Sequence, residues 1–222
     1  MTWMIFAFLL VAGIVINWYA VLSSREGLDN LTKPGVILLL ILGFTSQAEL
    51  DGPALWFWAG LAFSLLGDIL LNLPERFFPG GLAAFAATHL CYIFALRGLS
   101  SPEQALISAA AACALYISAR LVYRSSRTDP LKAALQGPVS LYIFLIGLML
   151  SSALWTNFRA SWTGTEALLV SLGAVFFTFS DSVLAWDKFI QPLSWRGPGV
   201  RFTYHLGQIS LTLGMGLHYS VN

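Results

Sequence analysis

Long apolar runs broken by short polar segments set the architecture of this chain. Eight runs can be drawn, at about residues 2–22, 34–47, 53–73, 80–97, 104–123, 137–155, 165–186 and 200–218. Most approach the ~20 residues that carry an α-helix across ~30 Å of hydrocarbon; the second is the shortest. A chain in lipid must satisfy its own backbone polar groups, and a helix does so within one segment. Barrel strands would instead show polar–apolar alternation over ~10 residues, and none of these runs alternates that way. The pattern predicts an all-α polytopic membrane bundle of about eight transmembrane helices, with residues 1–222 as one integral-membrane domain. The first run has no basic residue before it and no clear small-residue cleavage site after it, so it reads as a retained helix.

Composition narrows the class further. Hydrophobic residues make up 57% and charged residues 10%, with a mean hydropathy of +0.74. Soluble domains run near 45–50% and about 25%, so a typical soluble enzyme, a disordered chain and a disulfide scaffold are excluded. A net charge of +1 offers no polybasic surface for nucleic acid. Cys91 and Cys113 fall inside apolar runs and read as packing residues.

Loop charge predicts orientation. Loops after the odd-numbered runs hold ten of the twelve basic residues: Arg25, Lys33, Arg76, Arg120, Arg124, Arg127, Lys132, Lys188, Arg196 and Arg201. Arg97 and Arg159 are left for the other side. By the positive-inside rule the richer side is cytoplasmic, and eight spans then put both termini outside. The halves also resemble each other. Lys33-Pro34-Gly35, Gly67-Asp68 and Thr88-His89-Leu90 are echoed by Gly137-Pro138, Ser180-Asp181 and Tyr204-His205-Leu206. That is the signature of a parallel four-plus-four internal repeat, which places a site near the interface of the halves.

Charge inside a membrane span is costly and marks function. Asp68 and Asp181 each lie six residues from the cytoplasmic end of their runs, roughly 9 Å deep. His89 lies roughly 13 Å from the same side. Ser64, Asp68 and Asn72 share one helix face, as do Tyr204, Gln208 and Thr212, and as do His89 and Tyr92. Lys33, Asn17 and His205 fall near this level, whereas His218 lies at the opposite end of its run. The tryptophans cluster near run ends as an aromatic belt. No HExxH motif, cysteine cluster or GxSxG motif occurs.

These motifs carry a resemblance. Gly67-Asp68-x-x-Leu71, the turn Phe77-Phe78-Pro79-Gly80-Gly81 and Phe85-x-x-x-His89-x-x-Tyr92 resemble the YhhN family of eight-span membrane proteins. Ser180-Asp181-x-x-Leu184-Ala185-x-Asp187-x-Phe189 is similar to its second signature, and Lys33-Pro34 and Tyr204-x-x-x-Gln208 fit its second and last spans. His205 and Gly207 depart from the family's usual pattern. The family includes lysoplasmalogenases, which hydrolyse the vinyl-ether bond of lysoplasmalogens to a long-chain aldehyde and a glycerophospho-alcohol. The resemblance implies that the family's two essential aspartates correspond to Asp68 and Asp181.

A vinyl ether is cleaved by protonating its β-carbon, adding water to the oxocarbenium ion and collapsing the hemiacetal. That chemistry needs one protonated acid and one anion, as in two-carboxylate glycosidases. Two carboxyl groups at one depth could share a single proton, and coupled groups titrate as a pair. The expected roles are Asp68 as acid, Asp181 as base or cation stabiliser, and His89 as orienting or relaying group. Tyr204 and Gln208 would position water and Lys33 would hold the substrate phosphate. Tyr92, His205, Asn72 and Asn17 complete the expected substrate-binding set. Neither metal nor organic cofactor is required. The expected partners are a lysophospholipid substrate and the surrounding lipids of the cell's inner membrane, with the site in the cytoplasmic half of the bilayer. A hydrolase or binder of another lipid, and a proton-coupled transporter, remain competing classes on these residues.

Overall fold

The computed structural model describes residues 2–97, 101–123 and 135–220. Among the described residues the chain forms α1 (Thr2–Leu22), α2 (Glu26–Thr45), α3 (Gly52–Leu71), α4 (Phe78–Ala95), α5 (Pro102–Tyr123), α6 (Gln136–Trp155), α7 (Gly164–Phe189) and α8 (Arg196–Tyr219), and no strand. Of the basic residues behind the orientation, Arg124, Arg127 and Lys132 lie outside the described residues. Helices α2, α3, α6 and α7, and α4 with the 3-10 turn before it, are long and apolar enough to cross a membrane. Large apolar side chains such as Phe8, Leu38, Leu55, Leu106, Leu141, Leu168 and Leu213 face outward. Polar groups such as Asp68, His89 and Gln208 are fully buried. This inverts the soluble arrangement and defines a helical membrane protein.

Local sequence explains where helices begin. Pro53 and Pro79 sit in the first turns of α3 and α4, where a missing N–H costs nothing. Thr163 and Glu166 form a reciprocal capping box at the start of α7. The second helix differs from the hydropathy reading. It starts at Glu26, about two turns before Pro34, and so carries the proline inside. Pro34 cannot donate to the carbonyl of Asn30 four residues back. Asn72 Nδ2, from the end of α3, donates to that carbonyl at 3.0 Å. The polar first turns of α2 were hidden from hydropathy because Glu26, Asp29, Asn30 and Lys33 interrupt any apolar run there. Lys33 is thus a buried mid-helix residue, 4% exposed, rather than the mark of a helix start.

Within each half, successive helices pair antiparallel. Asn17 of α1 meets Asp29 and Thr32 of α2. In α3 and α4, Gly60 faces Tyr92 while Gly67 faces Phe85. In α7 and α8, Ser180 Oγ donates to the Val200 carbonyl at 3.0 Å. The packing order α1–α2–α3–α4 recurs as α5–α6–α7–α8, the halves joining where α4 meets α6 and where α8 returns to α1, α2 and α3. On the end away from the carboxylates, Arg159 donates to the carbonyls of Leu96 (2.5 Å) and Arg97 (2.6 Å) and to Gln104 Oε1 (2.6 Å). It thereby satisfies carbonyls left over at the end of α4. Partial burial draws this guanidinium below its ordinary pKa, yet arginine remains charged across working pH.

The tightest helix contact is between α7 and α8. A Cβ on Gly207 would stand 2.9 Å from Phe177 N and 3.0 Å from the Gly173 carbonyl oxygen. Those neighbours are backbone, so they cannot swing aside, and the pair depends on the small residue. Gly207→Val is expected to lower stability by about 1–3 kcal/mol or more, the cost of forcing volume into a packed core. Thermal unfolding in micelles checks this; an unchanged midpoint would contradict the contact.

Candidate active site

Asp68 and Asp181 lie on α3 and α7, one in each half, and each has its own retinue. Asp68 is fully buried. Lys33 Nζ lies 2.7 Å from its Oδ1, and Tyr204 donates to Oδ2 at 2.8 Å. From Tyr204 a buried string continues. Its hydroxyl meets Ser64 Oγ at 2.8 Å, Gln208 Nε2 donates to Ser64 at 2.6 Å, and Tyr92 donates to Gln208 Oε1 at 2.8 Å. Gly67 makes this possible, because a Cβ there would stand 2.7 Å from the Phe85 ring. Phe85 lies edge-on to Tyr204 and walls the group.

Asp181 is set differently. Tyr142, from α6, donates to its Oδ2, and His89 Nε2, from α4, stands 3.3 Å from the same oxygen. Tyr142 and His89 also meet, at 3.2 Å, with rings edge to face. Among the described residues no hydrogen bond joins the two carboxyl groups: Asp68 meets Lys33 and Tyr204, and Asp181 meets Tyr142 and His89.

Two cavities meet at Asp181. One, of about 290 Å³, is apolar and runs between α4, α6 and α7 past Leu82, Ile143, Ile146, Leu184 and Phe189. The other, of about 540 Å³, is polar and opens among Glu26, Asp29, Lys33, Glu75, Lys188 and Arg201. Asp181, Phe85, Phe78, Leu71 and Leu184 line both. The arrangement offers an amphiphile a place for its tail and a place for its head, with an ionisable oxygen at the boundary. Apolar clefts with a few convergent polar groups are the usual form of a ligand site.

Of the residues singled out by depth, Lys33, Asn72, Asp181 and Tyr204 reach the polar cavity. Asp68, His89, Tyr92 and Gln208 stand behind this wall as hydrogen-bond support. Asn17 is apart, bonded to Asp29 Oδ1 at 2.9 Å, where it braces the Asp29–Arg201 ion pair. His205 is fully buried, and neither ring nitrogen has a hydrogen-bond partner among the described residues. Sequence reasoning missed Tyr142, which lies inside an apolar run. Counting depth for tyrosines as well as for charges would have found it, since it stands five residues into the run from 137, about 7–8 Å down. It also missed the pairs Arg201–Asp29, at 2.8 Å, and Lys188–Glu75, which need tertiary contact to be seen.

The fold and this site define a helical integral-membrane protein with a buried polar centre between an apolar and a polar cavity. The chain belongs to the YhhN family, whose model matches residues 28–215. It is 33% identical to lysoplasmalogenase TMEM86B of Mus musculus over 93% of this chain and 83% of the relative. It is 32% identical to lysoplasmalogenase TMEM86A of Homo sapiens, over 70% of this chain and 63% of the relative. It is also 30% identical to a lysoplasmalogenase of Mycobacterium tuberculosis, over 72% of this chain and 59% of the relative. No solved structure matches the chain.

Proposed function

We propose that this protein is a lysoplasmalogenase-type membrane hydrolase, cleaving the vinyl-ether bond of a lysoplasmalogen to a fatty aldehyde and a glycerophospho-alcohol. The observation that carries the reading is Asp181 at the junction of the two cavities. In a lysoplasmalogen the vinyl ether is also the junction, between alkyl tail and glycerol head. A substrate with its tail among Ile143, Leu184 and Phe189 and its phosphate among Lys188 and Arg201 would bring that bond to Asp181.

The roles divide accordingly. Asp68 is fully buried, lines neither cavity, and has its oxygens taken by Lys33 at 2.7 Å and by Tyr204 at 2.8 Å. The acid role expected of Asp68 therefore passes to Asp181. Protonated Asp181 delivers its proton to the β-carbon, and the adjacent carbon becomes the oxocarbenium ion. Tyr142 and His89 hold the resulting carboxylate, which then takes a proton from the water adding to that carbon. The hemiacetal collapses, its hydroxyl proton passing to the departing glycerol oxygen, and Asp181 ends the cycle protonated. Asp68 is a positioning residue: it fixes Lys33 and Tyr204 on the polar wall. Lys33, committed to Asp68, orients water or the glycerol oxygen, leaving the phosphate to cations nearer the mouth.

The helices cross the cell's inner membrane eight times as one domain, with the polar cavity toward the cytoplasm, because that end carries the basic loops. Purified protein given a lysoplasmalogen should release free aldehyde, and activity should survive a chelator. Absence of aldehyde in a folded preparation would overturn the reading. Tyr142→Phe should cut kcat by about a hundredfold with little change in KM, the scale of a positioned proton-transfer partner. An unchanged kcat would remove Tyr142 from the mechanism.

A further inference from the structure

We infer that the polar cavity holds a subsite for a primary ammonium, so that the preferred headgroup is phosphoethanolamine rather than phosphocholine. The inference rests on the hydrolase reading above and concerns the cavity mouth, away from the reacting bond.

Charge balance within the cavity points that way. Lys33 is paired with Asp68, Arg201 with Asp29 and Lys188 with Glu75. Glu26 lines the same cavity and has no counter-ion among the described residues. Asp29, Glu75 and Asp181 each have a partner, so Glu26 is the lining carboxylate left without one among the described residues. Helix geometry puts Asn30 on the same face as Glu26, four residues on. Asn72 reaches the spot from α3, its amide nitrogen held by the Asn30 carbonyl at 3.0 Å, which leaves its side-chain oxygen to accept. Glu26, Asn30 and Asn72 all line this cavity and carry side-chain oxygens able to accept, matching the three donors of a primary ammonium. Arg201 uses Nε and Nη2 on Asp29, which leaves Nη1 for the neighbouring phosphate.

A quaternary ammonium needs something else. It has no N–H and is recognised by free aromatic faces. Among the described residues, the aromatic rings on this cavity are Phe78, Phe85 and Tyr204. Each already faces a lysine: Lys188 lies 5.2 Å from Phe78, and Lys33 lies 6.0 Å from Phe85 and 5.0 Å from Tyr204. Among the described residues, no ring on this cavity is free of a lysine cation, and none forms a cage for choline with a second ring on open faces.

The test uses the full chain in micelles with two lysoplasmalogens of the same alkenyl chain, one with an ethanolamine and one with a choline headgroup. Aldehyde release should favour the ethanolamine lipid by roughly tenfold in kcat/KM, the scale of one solvent-accessible charge-assisted hydrogen bond. The N-monomethyl and N,N-dimethyl lipids should fall in between, in order. Glu26→Gln should narrow the ratio toward one through loss on the ethanolamine lipid. Equal cleavage of both headgroups, or a ratio unmoved by Glu26→Gln, would overturn the subsite and leave the hydrolase reading standing. No cleavage of either lipid would overturn the hydrolase reading, and the subsite with it.

Discussion

Asp181→Asn should lower aldehyde release by about a thousandfold or more, within the range of a lost general acid. The substitution is nearly isosteric. Its amide oxygen still accepts from Tyr142 and its neighbours keep their places, so the fold and the cavities survive. What is lost is the proton that must reach carbon. Carbon protonation has no help from a metal or a preformed leaving group in this scheme, so little residual path exists. The check is a single-turnover assay alongside thermal unfolding, which should shift little because Asp181 is 10% exposed and not half of a closed lysine pair. A mutant retaining more than a tenth of the wild-type rate would remove Asp181 from the acid role.

The second large effect is on stability. Lys33→Met leaves the Asp68 carboxylate fully buried with no cation beside it. Breaking one side of a buried pair costs about 3–5 kcal/mol, mostly from the stranded charge. Removing both charges, as Lys33→Met with Asp68→Asn, should restore most of that loss, because the remaining amide can still accept from Tyr204. Activity should stay low in the double variant, since the polar wall has lost its ammonium. Denaturation midpoints of the two single variants and the double variant check this through a double-mutant cycle. Additive losses would mean that the pair is not coupled.

Much of this centre was legible from depth alone. Asp68, Asp181 and His89 could be placed at one level because a helix converts residue count into distance at 1.5 Å per residue. Depth does not give direction around the helix. The partners of each carboxylate depend on rotation and on neighbour order, so the sequence read the aspartates as facing each other. In the fold one faces Lys33 and the other faces Tyr142 and His89. Hydropathy also misplaced the start of α2, since Glu26, Asp29, Asn30 and Lys33 are polar residues inside a helix and line a cavity rather than a loop. Tyr142 escaped for the opposite reason: an aromatic in an apolar run looks like packing until its hydroxyl is traced. Asn17 lay at a suitable depth but on the far side of Asp29, one step removed from the cavity.

The central claim is that a fixed group delivers a proton to the substrate's β-carbon from one side. Cleavage carried out in deuterium oxide, with the aldehyde trapped at once by reduction, tests it directly. The account predicts one deuterium at C2 of the trapped alcohol, in a single configuration. Deuterium in both configurations equally, or none at C2, would contradict it.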